Sequence, residues 1–269
     1  MSMNIYLLLE ALIMGVVEGL TEFLPISSTG HLIVAGRLLR FPEEIAATFE
    51  IFIQLGAILA VVVYFARDLL REVRAAPAAR GLLLNLAVAF LPAALVGVAL
   101  GDLIKAYLFN PVTVAFALIG GGVIMLIIEQ RPRQPAVHDV LAARWPHALV
   151  VGLAQIASLW PGFSRSASTI IGGMLAGMDR PTALRFSFYL SIPTMVAATV
   201  FDFLRSLDEI HAEALPAFFI GTACAFLVAL AVIKFLLGYV ARHDFKPFGW
   251  YRIAAGLALL GLAAIGFWG

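Results

Sequence analysis

The stretch EGLTEFLPISSTGH, from Glu18 to His31, and the stretch WPGFSRSAST, from Trp160 to Thr169, interrupt sequence that is otherwise apolar. Both combine helix breakers with ionisable and hydroxyl side chains. Of the 269 residues, 62% are hydrophobic and only 13% are charged, whereas a soluble domain carries about 25% charged residues. The composition therefore predicts an all-α integral membrane protein, in which ionisable groups at membrane depth are usually kept for function.

Six segments are apolar over the roughly 20 residues that a helix needs to cross a bilayer. They are residues 48–66, 82–101, 111–129, 184–203, 216–238 and 249–268. Two further regions, 4–40 and 147–178, are apolar but broken in the middle, at Pro25 and at Pro161-Gly162. Each half of these regions is short for a span. We therefore expect two re-entrant helix hairpins whose tips lie within the membrane and are buried in protein.

The distribution of basic residues orients the chain under the positive-inside rule. One side of the predicted spans carries twelve of them: Arg67, Arg71, Arg74, Arg80, Arg131, Arg133, Arg144, Arg180, Arg185, Arg242, Lys246 and Arg252. The other side carries Arg37, Arg40, Lys105 and Arg205. We expect the first side to be cytoplasmic and both ends of the chain to face outward. The net charge of +1 argues against a nucleic-acid partner.

The two halves of the chain resemble each other at an offset of about 137 residues. Gly15 matches Gly152, and Ser28 matches Ser164 when one residue is deleted. We predict a single membrane domain, residues 1–269, with repeats at about 1–130 and 145–269. Each repeat has one hairpin and three spans, and the odd number of spans inverts the second repeat. The two hairpin tips then meet near the midplane, a pattern typical of binding sites in membrane proteins.

The first stretch places two carboxylates on one helix face, because Glu18 and Glu22 are four residues apart. They repel each other unless a cation or a shared proton lies between them. A divalent cation held by oxygen ligands resolves this repulsion. The alternative is that each carboxylate pairs with an arginine from another helix. We predict that Glu18 and Glu22 are ligands of a divalent cation, Mg²⁺ or Ca²⁺.

Three hydroxyl side chains, Ser27, Ser28 and Thr29, follow Pro25 and begin the second arm of the first hairpin. Such residues cap helices, and the N-terminus of a helix also binds anions. His31 lies three residues after Ser28 on the same face, so these two residues can form a nucleophile–base pair. The alternative for His31 is a hydrogen-bonded residue of the protein core.

The second stretch repeats this arrangement with a positive charge. Arg165 is the only Arg or Lys of residues 145–179. Arginine binds phosphate through paired hydrogen bonds and stays charged when it is buried. We predict that Ser164, Ser166 and Thr169 bind phosphate together with it. The alternatives are an arginine that extends to the membrane surface and a serine that is merely small enough for close helix packing.

Glu50 and Gln54 begin the first full span and are also four residues apart. They can complete a cation site directly or support the residues that form it, and the sequence does not separate these two roles. Glu129 and the arginines of the loops are expected at the membrane surface, in contact with water.

These residues resemble a known family. The two stretches are similar to the E-x-x-x-E and P-G-x-S-R-S-x-x-T motifs of the bacterial undecaprenyl pyrophosphate phosphatases of the bacitracin-resistance type. The stretch FEIFIQLGAI, Phe49 to Ile58, also resembles that family, and Ala167 departs from a glycine that many relatives have. On the motif positions, the resemblance implies functional roles for Glu18, Glu22, Ser28, His31, Ser164, Arg165 and Thr169.

The resemblance implies hydrolysis of undecaprenyl pyrophosphate to undecaprenyl phosphate and inorganic phosphate, which recycles the lipid carrier of peptidoglycan synthesis and confers bacitracin resistance. It also implies a divalent cation, a homodimer in the bacterial inner membrane, and an active site that opens to the outer, periplasmic face. Arg165 would bind the terminal phosphoryl group, while Ser28 assisted by His31, His31 itself or a water attacks it. The alternative function is a transporter or flippase for a polyprenyl phosphate, because alternating access also uses inverted repeats with broken helices.

Overall fold

The computed structural model of the chain describes residues 5–74, 76–131, 134–205 and 212–268. Ten α-helices lie within these ranges. The first five are α1 (Ile5–Thr21), α2 (Ser28–Leu39), α3 (Glu43–Arg74), α4 (Ala76–Leu108) and α5 (Pro111–Gln130). The other five are α6 (Trp145–Gln155), α7 (Arg165–Leu175), α8 (Arg180–Arg205), α9 (Leu215–Val240) and α10 (Lys246–Ala264). Of the basic residues that were counted to orient the chain, Arg133 lies outside the described residues, as do the side chains of Arg74 and Arg205.

Six of the described helices are long and apolar enough to cross a membrane, which confirms the predicted number of spans. The crossing segments are Glu43–Arg71, Arg80–Leu108, Pro111–Gln130, Arg180–Leu204, Leu215–Val240 and Lys246–Ala264. Most of these segments begin or end several residues beyond the predicted spans, because the helices continue through charged residues at the membrane surface. The predicted all-α membrane fold is therefore confirmed.

The remaining four helices form two hairpins. The first hairpin joins α1, of 17 residues, to α2, of 12 residues, and the second joins α6 to α7, each of 11 residues. The two arms of each hairpin pack against each other. A short 3₁₀ helix, Ile156–Leu159, extends α6 towards the second break. Each arm is shorter than the roughly 20 residues of a span, so both chain breaks lie inside the helical bundle.

The two halves of the chain interlock. Helix α1 packs against α9 of the other half, and its repeat counterpart α6 packs against α4. Helix α5 packs against α10, and α3 packs against α8. In each of these pairs, the two helices occupy the same position in their respective halves. This exchange pattern supports the inverted repeat that the sequence predicts. A core of aromatic rings lies between the halves, where the Phe23 and Phe188 rings meet edge to face with centroids 5.6 Å apart.

The structure corrects the alignment of the repeats by one residue. Ser27 is the N-cap of α2 and Ser164 is the N-cap of α7, and both have positive φ. These two serines are 137 residues apart, so the offset holds through the tips without a deletion. Ser28, predicted to match Ser164, is instead equivalent to Arg165. The deletion was wrong because it aligned the prolines, whereas the caps set the geometry of the tips.

Two charges expected at the membrane surface are buried. The Glu129 side chain is 1% exposed, accepts hydrogen bonds from the Arg180 guanidinium, and accepts another from the Phe245 backbone N–H at 2.9 Å. It therefore ties the start of α8 and the start of α10 to the end of α5. Arg252, counted with the cytoplasmic basic residues, is 0% exposed inside α10. Both predictions were wrong because position near a helix end does not reveal which neighbours cover a side chain.

Two repeat-equivalent glycines allow the hairpins to approach the long helices closely. A Cβ at Gly15 would overlap the Gly221 carbonyl oxygen of α9, and a Cβ at Gly152 would lie 2.6 Å from the Ala89 carbonyl oxygen of α4. Both obstacles are backbone atoms, which cannot move aside as a flexible side chain does. Small residues at crossing points are what allow membrane helices to pack tightly.

We predict that Gly15→Ala and Gly152→Ala each destabilise the fold by about 1–3 kcal/mol, the usual range for overpacking. Gly101→Ala is the matched control, since a Cβ there meets nothing within 4 Å. It should leave stability unchanged or raise it by up to about 1 kcal/mol through helix propensity. The measurement is the unfolding midpoint in detergent. Equal midpoints for all three variants would contradict the close packing of the hairpins.

Candidate active site

The two hairpin tips present the N-termini of α2 and α7 to each other, and each begins at a strained serine. Ser27 has φ 75° and Ser164 has φ 69°. Residues other than glycine seldom adopt positive φ, and such strain concentrates at functional sites because the surrounding structure must hold it. The first amides of a helix are also a favourable site for anions. The local backbone therefore suits a phosphate group at both tips.

A buried ion pair joins the two sequence stretches. Arg165 Nη2 donates to Glu22 Oε1 at 2.9 Å, across 143 residues of sequence. Ser28 Oγ donates to the other carboxylate oxygen, Glu22 Oε2, at 2.6 Å. The Arg165 side chain is 11% exposed and the Glu22 side chain 8% exposed. The structure thus brings Glu22, Ser28 and Arg165 together as one hydrogen-bonded group.

The Arg165 guanidinium retains donor capacity beyond this ion pair. Its Nη1 donates to the Ser187 carbonyl oxygen at 3.3 Å, and its Cζ lies 5.7 Å from the centroid of the Phe23 ring. Its Nε is buried and has no hydrogen-bond partner among the described residues. Buried donors are normally satisfied, so an unpaired N–H here is a feature that requires an explanation. The described part of the protein thus leaves one donor of the Arg165 guanidinium unused.

A cavity of about 180 Å³ opens beside this group. Its lining includes seven of the predicted site residues: Glu22, Ser27, Ser28, Thr29, Gln54, Ser164 and Arg165. Ser158 and Thr194 add hydroxyl groups that the sequence analysis did not single out. Space for many water molecules, enclosed by polar groups of both repeats, is the setting that a polar ligand requires.

Two further carboxylates lie behind the cavity. Glu18 is 2% exposed, and the ionisable groups near it are Glu22, Glu50 and Arg165. Three carboxyl groups therefore lie near one guanidinium, an arrangement that a shared proton or a cation would stabilise. Among the described residues, no group of three or more His, Cys, Asp or Glu side chains is arranged to hold a metal ion. The oxygen donors nevertheless fit Mg²⁺, which commonly takes one or two carboxylates and completes its coordination with substrate phosphates and water.

His31 is held away from Ser28. Its Nδ1 lies 2.7 Å from the Ser27 carbonyl oxygen, and its Nε2 lies 2.6 Å from the Tyr251 hydroxyl. The imidazole also stacks on the Tyr251 ring, with centroids 5.6 Å apart and planes 6° apart. Since a carbonyl only accepts, Nδ1 carries a proton, and in the neutral ring Nε2 accepts from Tyr251. The expected hydrogen bond between Ser28 and His31 is thus replaced by a pair of bonds to other groups.

Ser166 and Thr169 lie behind the cavity wall. Ser166 Oγ donates to the Phe23 carbonyl oxygen at 2.8 Å and so connects the second tip to the first. Thr169 Oγ1 shares a hydrogen bond of 2.6 Å with Ser187 Oγ. Both residues are 0% exposed. They are better placed to hold the tips than to contact a phosphate, because their hydroxyl groups already bond within the protein.

Two residues of α10 that the sequence did not assign to the site reach it: Tyr251 contacts His31, and Arg252 contacts both tips. Arg252 Nη1 donates to the Pro25 carbonyl oxygen at 3.1 Å, and its Nη2 donates to the carbonyl oxygens of Gly162 and Phe163 at 3.1 and 2.9 Å. A signal was available in the sequence. Arg252 lies within the predicted span 249–268, where a charge needs a partner in the protein interior.

Residues 11–258 match the family described as bacitracin resistance protein BacA. The chain belongs to this family. BacA relatives are similar over nearly the whole length. The undecaprenyl-diphosphatase of Laribacter hongkongensis is 52% identical over 262 residues, covering 96% of each chain. Those of Ectopseudomonas mendocina and Deinococcus radiodurans are each 50% identical, over 261 and 264 residues, covering 96% of this chain and 95% and 96% of their own lengths.

We predict that neutral His31 carries its proton on Nδ1 and that Tyr251→Phe changes the environment of Nε2 alone. The phenylalanine ring keeps the stacking contact but loses the hydroxyl donor. The measurement is nitrogen NMR of protein labelled with ¹⁵N-histidine, in which His31→Gln identifies the resonances. Nε2 and not Nδ1 should shift in Tyr251→Phe. A proton found on Nε2 of the neutral ring would contradict this arrangement.

Proposed function

We propose that this chain hydrolyses undecaprenyl diphosphate to undecaprenyl phosphate and inorganic phosphate in the bacterial inner membrane. The observation that carries the proposal is the buried group of Glu22, Ser28 and Arg165 at the cavity between the hairpin tips. The relatives with about 50% identity over nearly full length carry the name of this activity. Recycling of the lipid carrier for cell-wall synthesis follows from that reaction.

A lipid diphosphate suits both the surface and the interior of the molecule. Large apolar side chains such as Leu95, Val98 and Phe219 are 67 to 77% exposed, as expected of residues that face lipid. The cavity beside Arg165 is polar by contrast. An apolar tail among the helices would thus deliver a charged head group to the tips, where the N-termini of α2 and α7 face it.

Arg165 is proposed to bind the terminal phosphoryl group. Its bond to Glu22 holds the guanidinium beside the cavity before substrate arrives. Its remaining N–H groups then donate hydrogen bonds to the phosphate oxygens, and they stabilise the charge that spreads over these oxygens in the transition state. Phosphoryl transfer depends mainly on such positioning and electrostatic stabilisation, so this contact supplies a large part of the catalysis.

Glu22 is proposed as the group that removes a proton from the nucleophile. Ser28 Oγ already donates to Glu22 Oε2, within the reach that a general base requires. Attack of Ser28 on the terminal phosphorus would break the bridging P–O bond, release undecaprenyl phosphate and leave a phosphoserine that water hydrolyses. A water held by Glu22 would give the same products in one step. His31 bonds elsewhere, so its proposed role is to hold the Ser27 carbonyl at the first tip.

We also propose a divalent cation, Mg²⁺ or Ca²⁺, with Glu18 and Glu22 as its ligands and Glu50 close by. When bound, the cation neutralises charge on the phosphate oxygens. The excess of carboxylates over guanidinium groups around Glu18 supports this assignment. Both oxygens of Glu22 accept hydrogen bonds in the structure, and each retains a second lone pair for a ligand.

The proposed orientation places the cavity towards the outer face and both ends of the chain outside. The positive-inside distribution of Arg and Lys supports it, and the exclusion of Arg252 from that count leaves the majority on the same side. A homodimer is proposed from the family resemblance. Labelling of single cysteines in intact cells at Lys105 and at Arg144 tests the orientation, since only the former should react with an impermeant reagent.

We predict that the purified protein releases phosphate from a polyprenyl diphosphate, and that chelator and Glu22→Gln each abolish the release. Glu22→Gln keeps the shape of the side chain but removes its charge, so both proton removal and cation binding are lost. The measurement is phosphate release in detergent, with cation added back after chelation. Movement of the lipid across proteoliposomes without phosphate release would contradict the phosphatase and favour a transporter.

We predict that Arg165→Ala lowers turnover by about 10³–10⁵-fold, the range for arginines that stabilise phosphoryl transfer. Arg165→Lys keeps the charge but not the planar fork, so it should restore only part of the loss. Lys105→Gln is the control, because its pair with Asp202 is exposed and contributes little. Near-normal turnover of Arg165→Ala, measured on folded protein, would exclude this role.

A further inference from the structure

A single guanidinium contacts equivalent atoms of both repeats. Arg252 donates to the carbonyl oxygens of Pro25 and Gly162, each at 3.1 Å. Pro25 and Gly162 are 137 residues apart, the offset that also relates Ser27 to Ser164. Each carbonyl therefore lies two residues before the strained cap serine of its tip. The Arg252 side chain, which comes from α10, thus bonds to equivalent positions in the two hairpin tips.

The surroundings of Arg252 are made of backbone rather than of counterions. Besides the two equivalent carbonyls, it donates to the carbonyl oxygens of Phe163, at 2.9 Å, and Ala117, at 3.3 Å. The residue is 0% exposed, and its Nε has no partner within the described part of the chain. Non-helical backbone at membrane depth is tolerated only where protein groups satisfy it. The guanidinium fulfils this requirement for both tips at once.

Helix α5 makes room for this guanidinium through one glycine. A Cβ at Gly121 would overlap Arg252 Nη2 and lie 2.9 Å from its Cζ. At the neighbouring Gly120, a Cβ would meet nothing within 4 Å. The glycine run of residues 120–122 thus contains one position that touches the guanidinium of Arg252 and one that does not. The pair provides a perturbation and its control one residue apart.

We infer that Arg252 is a positioning residue that fixes the spacing of the two hairpin tips, so that both tips bind the same phosphate group. It is distant in sequence from the groups at the cavity and acts through the backbone that carries them. Ser28 and Thr29 follow one clamped carbonyl, and Ser164 and Arg165 follow the other. The Glu22–Arg165 bond, which links the first tip to the second, depends on the same spacing.

The test displaces the guanidinium without changing it. Gly121→Ala should push Arg252 away from the tip carbonyls, because the end of a flexible side chain yields before backbone does. We expect kcat/KM for a polyprenyl diphosphate to fall by about 100-fold, mostly through kcat, since a misplacement of about 1 Å can have that effect. Gly120→Ala should stay within about twofold of the wild type. Wild-type kinetics in Gly121→Ala would overturn the inference.

A double-mutant cycle separates positioning from general destabilisation. If Gly121→Ala acts through Arg252, it should change kcat/KM by no more than about twofold when added to Arg252→Met. Arg252→Lys should resemble Arg252→Met, because one ammonium group lacks the fork that reaches both tips. The inference would be overturned if the effects of the two substitutions on kcat/KM were fully additive, or if Arg252→Lys were fully active.

The kinetic test rests on the proposed function. A second measurement is therefore chosen that needs no substrate. The amides of Ile26 and Phe163 are also repeat-equivalent, and each forms a turn hydrogen bond at its tip, to Leu24 at 2.7 Å and to Trp160 at 3.0 Å. In Gly121→Ala and Arg252→Met, hydrogen exchange at both amides should accelerate together, and Gly120→Ala should match the wild type. Acceleration at neither tip, or at one tip only, would overturn the inference. If the wild type were inactive but the variants showed this exchange pattern, the proposed phosphatase activity would be refuted and the positioning role of Arg252 supported.

Discussion

The architecture depends on the requirement that a broken backbone inside a membrane be satisfied by the protein itself. Two chain breaks lie inside the helical bundle, and protein groups must hydrogen-bond the carbonyl and amide groups that face away from the cavity. The breaks meet each other, and side chains from other helices complete their hydrogen bonds. Arg252 reaches both tips, Ser166 links the second tip to Phe23, and Trp160 donates to the Thr113 carbonyl oxygen at 3.1 Å.

The same requirement explains why the chemistry lies where it does. A tip that begins a helix presents amide groups and a positive dipole end, so two such tips in contact form a site for an anion. The predicted inverted repeat accounts for the meeting of the two tips, but the two halves do not contribute equally. The first half supplies the carboxylates of Glu18, Glu22 and Glu50, and the second supplies the guanidinium of Arg165. The two similar tips together line the cavity. The carboxylates come from one half and the guanidinium from the other, so the two sides of the cavity have different proposed roles.

The buried charges at the cavity hold each other in place. Removing one partner of a buried ion pair is strongly destabilising, because the other charge is left buried without a partner. The Glu22–Arg165 bond therefore keeps both groups poised at the cavity. Arg252 differs, because backbone carbonyls surround it on the sides that face the tips, and its role is in the framework.

The sequence by itself determined the apolar spans, the two breaks and the faces that carry Glu18, Glu22, Ser28 and Arg165, because hydrophobic length and helical spacing are local properties. It did not determine which faces meet. The pairing of Glu22 with Arg165 across 143 residues, the partner of Ser28, and the burial of Glu129 and Arg252 arise from contacts between distant helices. Helical periodicity states which side chains share a face, and only the packing of whole helices decides what lies opposite that face.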